Sequence, residues 1–199
     1  MTRYLPLPNM GKQITGKRKG HVHGIIFSEL RKYVEAKTGN KGWDALTARA
    51  GLGMKLYTPF GAYPDAEVVA LVTAASEVTG LPANTILEDF GEFIAPSLLS
   101  MYGHLLDPKW KTLDVLEHVE NTVHTVVRVK NQGAAPPQLK IARTSPSEAV
   151  LKYDSPRKLC AVAKGIAKGV GKHFKENLFI TETQCMHRGA PHCTIHFRT

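Results

Sequence analysis

The decapeptide "LKYDSPRKLC" (151–160) sets three hydrogen-bond donors at alternate positions: Tyr153, Ser155 and Arg157. A residue before proline avoids the helical region, so the chain is expected to stay extended through Ser155, which precedes Pro156. Residues two apart on an extended chain share a side, which puts the phenol and the hydroxyl on one face. Pro156 suits the first turn of a helix capped by Ser155, and Arg157 then stays close to that face. A phenol, a hydroxyl and a fixed guanidinium together suit a carboxylate or phosphate partner. Local geometry equally allows a plain cap, a half-buried ring and a solvated arginine.

Two further groups could do chemistry. His118 and His124 sit on one long segment whose apolar stripe is Leu116, Val119, Val123, Val126 and Val127. Six residues apart on a regular helix is 120°, so the two rings face differently, and the stripe is centred on neither. Near the C-terminus, Cys185 and Cys193 flank "MHRGAPH", with His187, His192 and His196 in the same hairpin and Cys160 just after Arg157. Thiolates with an imidazole could close a tetrahedral zinc site, but the spacing is not that of a CxxC knuckle. Reduced, packed thiols are the other reading. "GIAKGVGKHF" (165–174) does not match the G-x-x-x-x-G-K phosphate loop, and no Ser or Thr follows Lys172. Lys164 just before it, with Lys168 and Lys172, is expected to form a solvated stripe, open to electrostatic docking.

These residues need elements to position them. Helices are expected over 24–39, 44–50, 64–80, 82–103 and 112–130, the fourth interrupted at Gly91 and Pro96. After "NQGAAPP" (131–137) the pattern changes. "QLKIART" and "EAVLKYD" read as a hairpin, 156–174 as a helix, and "NLFITETQC" and "HCTIHFR" as two closing strands. The expected class is α+β: a helical N-terminal subdomain, then an antiparallel sheet with helices.

Composition bounds the rest. A chain of 199 residues, 43% hydrophobic, suits one domain with a sizeable core. No apolar run is long enough to span a membrane, and the start lacks a signal peptide's apolar region, so a soluble cytoplasmic protein is expected. Three cysteines argue against a disulfide framework. Residues 1–21 carry Arg3, Lys12, Lys17, Arg18 and Lys19 without an acid, so five of the nine net positive charges lie in this leader. No zinc-finger, RNP or helix-turn-helix pattern supports a nucleic-acid partner.

Taken together, these residues resemble the haem–nitric oxide/oxygen binding (H-NOX) family, which includes the haem region of soluble guanylate cyclase. The likeness runs from about Gly24 to Phe197. "HGIIFSEL" is similar to the family's usual opening, which makes 1–21 an extension and 22–199 the domain. Tyr153-x-Ser155-x-Arg157 matches the family signature whose side chains hold the two haem propionates. His124 precedes Pro137 by 13 residues, the family's spacing between its proximal haem histidine and a proline that presses on the macrocycle. His118 does not fit that spacing.

The resemblance implies haem b held between the helical and sheet portions, with His124 on the iron and a diatomic gas opposite. Oxygen-binding members resemble one another in a distal tyrosine, where this chain has Val162. Ile26, Leu30, Leu87, Ile94, Leu98 and Ile166 are expected to line the same side, so nitric oxide and carbon monoxide are the expected ligands and oxygen is not. The implied role is a nitric oxide sensor without turnover, acting on a separate histidine kinase or cyclic-di-GMP enzyme. Some stand-alone members hold zinc with cysteines and a histidine. This chain has Glu182 at that histidine's place, leaving Glu182, His187 or His192 as the fourth ligand beside Cys160, Cys185 and Cys193. The last hairpin also resembles the vinyl-reductase-type ligand-binding domain, a haem-independent alternative. A catalytic haem enzyme is a third reading, without a polar distal acid or base to support it.

Overall fold

The computed structural model describes residues 20–130 and 135–199. Most of the expected basic leader lies outside the described residues. Its last residue, His21, already belongs to strand β1 (His21–His23), which pairs antiparallel with β2 (Ala62–Pro64). These two short strands carry no alternating pattern that a sequence reading could use, and tertiary pairing alone makes them strands.

Four helices follow the leader: α1 (Gly24–Thr38), α2 (Gly42–Arg49), α3 (Asp65–Thr79) and α4 (Ala83–Tyr102). They close over a core that includes Phe27, Trp43, Leu71, Phe90 and Ile94. The expected interruption of α4 does not occur: the helix runs through Gly91 and Pro96. Packing against a second helix, α7 (Cys160–His173), supports it along this stretch. The approach is close enough to need glycine. A Cβ on Gly91 would collide with the Val162 carbonyl oxygen, and one on Gly165 would collide with that of Glu88.

The expected helix over 112–130 is broken into three. Helix α5 (Thr112–His118) passes into a π-helical turn (Glu120–His124) and then α6 (Thr125–Lys130). The His124 amide donates to the Val119 carbonyl at 3.0 Å, a five-residue step instead of four.

The C-terminal half is a four-stranded antiparallel sheet: β3 (Gln138–Ser145), β4 (Glu148–Asp154), β5 (Phe179–Gln184) and β6 (Cys193–Arg198), in the order β3-β4-β6-β5. Leu151, Tyr153, Ile195 and Phe197 alternate inward on β4 and β6 and bury a second core with Leu113 and Leu116 of α5. Helix α7 serves both cores, since Cys160 and Ala167 face the sheet while Ala161, Val162 and Ile166 meet the helices. The fold is therefore α+β as expected, with α7 as the shared wall. No single helix among the described residues is long and apolar enough to cross a membrane.

Candidate functional site

A cavity of about 270 Å³ lies between the two halves. Val22, Ile26, Leu30 and Leu87 line it from the helical side, and Leu139, Ile141, Leu151 and Phe197 from the sheet. Leu98, Val162 and Ile166 also line it, as do Pro137, His124, Tyr153 and Arg157. One expected wall residue, Ile94, and one expected propionate contact, Ser155, do not line it. Ile94 is fully buried in the helical core, and Ser155 is buried at 2% exposure.

Of the two candidate histidines, only His124 reaches the cavity. His118 stacks on Trp110 with ring centroids 4.4 Å apart, and its Nδ1 lies 2.9 Å from the Asp114 carbonyl. The His124 Nδ1 sits 2.8 Å from Glu120 Oε2. Burial lowers the His124 pKa below its ordinary value, against the upward pull of Glu120, so the ring is neutral near pH 7. With the Nδ1–H donated to a carboxylate, Nε2 carries the lone pair. Burial tends to raise the Glu120 pKa, but hydrogen bonds from His124 and Arg128 outweigh it and hold the carboxyl below its usual range.

Glu120 also ties the π turn to the segment after it. Its Oε1 accepts from Arg128 Nη2 at 2.7 Å and its Oε2 from the Leu139 amide at 3.2 Å. Arg128 Nη2 in turn donates to the Pro137 carbonyl at 3.3 Å. One carboxylate thus links His124, Arg128 and the start of β3.

The Tyr–Ser–Arg stretch departs from its expected geometry. Helix α7 begins at Cys160, not Pro156, because Lys158 takes the left-handed φ of 54°. Ser155 Oγ still accepts from the Arg157 amide, at 3.3 Å. Arg157 is drawn back toward the helical half: Nη1 donates to Asp65 Oδ1 at 3.1 Å and to the His21 carbonyl at 3.5 Å, and Nη2 donates to the Ala135 carbonyl. Burial pushes the Tyr153 phenol up to about 12, so it is a neutral donor.

A second cluster lies under the start of α7. One ligand atom from each of Cys160, Glu182, Cys185 and Cys193 falls within 4.8 Å of the others. The sulfurs of Cys160 and Cys185, and of Cys185 and Cys193, are 3.9 Å apart, too far for a disulfide. Tetrahedral zinc at about 2.3 Å from each sulfur needs a separation of about 3.8 Å. Glu182 Oε1 is buried without a hydrogen-bond partner among the described residues. Burial pushes the Cys160 and Cys193 thiols up, a cost a bound cation reverses. His187 and His192 are outside this group, and His187 Nε2 instead meets the Lys158 carbonyl at 2.8 Å.

The family model described as Haem-NO-binding matches residues 23–182. The chain belongs to the Haem-NO-binding family. Among solved structures it is similar to an H-NOX protein from S. oneidensis in the Fe(II)NO ligation state. Identity there is 25% and the TM-score 0.83, over 89% of this chain and 98% of that one. The Fe(II) unliganded H-NOX protein from K. algicida matches in fold at 22% identity and TM-score 0.79, covering 89% and 96%. A mutant of the T. tengcongensis H-NOX does so at 21% and 0.75, covering 87% and 94%. No curated protein matches the chain.

Within this Haem-NO-binding domain, sequence reasoning missed Glu120, whose position four residues before His124 was a usable signal for a helical carboxylate–histidine pair. It also missed His21, His23 and Tyr102 on the cavity wall, for which no motif exists. The α7 lysines are not a free stripe: Lys164 lies 3.7 Å from both Glu88 and Glu182, Lys168 pairs with Glu88, and Lys172 with Glu92.

Proposed function

We propose that the chain is a haem-based nitric oxide sensor, a binding protein without turnover that regulates a separate partner. The observation that carries this reading is His124. It is a neutral imidazole oriented by Glu120 on the wall of a mostly apolar cavity that Pro137, Tyr153 and Arg157 also line. The residues fit haem b in kind, with apolar surface for the macrocycle, one imidazole for the iron, and a phenol with a guanidinium for the carboxylates. When bound, the group would supply a ferrous iron able to take a diatomic gas, with His124 as the residue that would hold it.

The chain does the rest. Glu120 fixes the His124 tautomer and ring plane. Tyr153 and Arg157 hold the carboxylate edge, with Ser155 acting through its hydrogen bond to the Arg157 amide. Val162, Ile26, Leu30 and Ile166 line the cavity without offering a donor, which disfavours oxygen relative to nitric oxide and carbon monoxide. Tyr102 also lines the cavity, but it is eleven residues along α4 from Gly91, which touches Val162. At 1.5 Å per residue its backbone is about 16 Å along the helix axis from Gly91, one turn beyond Leu98. Because Glu120 and Arg128 join His124 to the chain at Pro137 and Leu139, displacement of His124 shifts that unit together.

Absorption spectra of the reduced protein test the reading. A Soret band that shifts with nitric oxide and is unchanged by air is expected, and His124→Gly abolishes axial ligation while His118→Gly does not. A stable ferrous–oxygen spectrum would overturn the gas assignment.

A second reading is favoured by the buried, unpartnered Glu182 oxygen among three thiols: a zinc site with Cys160, Cys185, Cys193 and Glu182 as ligands. Metal analysis of the purified chain is expected to find one zinc, lost in Cys193→Ser and weakened in Glu182→Gln. Stoichiometric absence of zinc would leave reduced thiols as the correct account.

A further inference from the structure

His23 is the last residue of β1, and both its ring nitrogens are buried without a hydrogen-bond partner among the described residues. Folded proteins rarely leave an imidazole so. The ring lines the same cavity as His124, Tyr153 and Arg157. Arg157 marks which part of that cavity the strand borders, because its Nη1 donates to the carbonyl of His21, two residues earlier on β1. Residues two apart on a strand share a face, and His21 lines the cavity too.

We infer that His23 is a further member of the anion-holding edge, an N–H donor to a carboxylate of the bound porphyrin beside Tyr153 and Arg157. This rests on the haem reading above. A carboxylate is the strongest acceptor the site is built to hold, and Arg157 alone cannot serve it fully: its guanidinium already meets Asp65, Ala135 and His21. A donor from β1 also binds the helical half to the porphyrin edge, where Tyr153 binds the sheet half.

The test uses the full chain loaded with haem and, separately, with haem dimethyl ester, whose carboxylates are masked. His23→Phe keeps the ring volume and removes the donor. Transfer of haem to apomyoglobin is expected to be about tenfold faster in His23→Phe than in the parent, the size of one hydrogen bond to a charged group. His23→Gln, which keeps a donor, recovers part of that loss. With the dimethyl ester the difference between parent and His23→Phe disappears, closing a cycle between side chain and carboxylate. Equal transfer rates with haem, or a difference that persists with the ester, overturns the assignment. So does a shifted C–O stretch in the carbonyl complex of His23→Phe, which would show that the ring faces the gas. Failure of the parent chain to take up haem at all would instead overturn the haem reading. Thermal melting of the unloaded variants reads out folding, and His23→Leu serves if His23→Phe does not fold.

Discussion

The α4–α7 contact and the π turn that carries His124 wall the same cavity by opposite means. Between the helices, backbone meets backbone with no room for a Cβ at Gly91 or Gly165. At the π turn the chain is held by side chains, with one carboxylate satisfying His124, Arg128 and the Leu139 amide. Close packing has a single solution and transmits any strain. A hydrogen-bonded junction has discrete alternatives, since each donor can find another acceptor. One wall is thus a fixed reference, and the other is the place where movement can start.

The largest effect that would test this contrast is Gly165→Val. Its added carbons must displace the α4 backbone, and a loss of about 3 kcal/mol in chemical unfolding of the apoprotein is expected. A loss below about 1 kcal/mol would show that the helices can separate and that the wall is not fixed. Glu120→Ala comes next and attacks the other wall. Apoprotein stability changes little beside that, but haem affinity falls by roughly 10- to 100-fold, the usual consequence of removing a carboxylate behind a metal-binding histidine. Equal affinity would mean that Glu120 does not position the ring.

Alkaline unfolding gives a smaller, signed effect. The buried Tyr153 phenol titrates near 12 in the folded chain and lower when unfolded. The unfolded state therefore loses its proton first as pH rises. Stability is fully present below pH 10 and falls between 10 and 12, on the order of 2 kcal/mol. Tyr153→Phe removes this part of the fall, measured as the difference between the two pH profiles. Smallest is Lys172→Gln. It breaks an exposed ion pair with Glu92 at the rim of the helix contact and is expected to cost less than about 0.5 kcal/mol. A larger cost would move the strength of that wall from its glycines to its charges.

How much of this was legible depends on the kind of signal. The helix and hairpin runs from Gly24 onward carry strong periodicity and recognisable stops, so the α+β class could be read directly. The pairing of β1 with β2 could not, because three residues hold no period and the partner is 41 residues away. His124 and Pro137 were legible as a spacing, and Tyr153 and Arg157 as a motif, and all four line the cavity. Ile94 and Ser155 are buried and do not line the cavity, and apolar or polar character alone does not say which way a buried side chain faces. His23 was invisible for a different reason: its meaning comes only from what surrounds it. The start of α7 was misread because Pro156 suits a helix, while Lys158 ends that option with a left-handed φ.

The π turn has one more consequence. A helix has a phase, much as a message has a reading frame, and the five-residue step between Val119 and His124 inserts one residue into that frame. Every side chain after it is set about 100° away from where a regular helix starting at Thr112 would carry it. The count of six between His118 and His124 therefore misstates their true angular relation, and the apolar stripe read across both is two stripes joined at a frameshift. Removing one residue between Val119 and His124 would return that step to four and leave His124 in the phase it has now, facing inward.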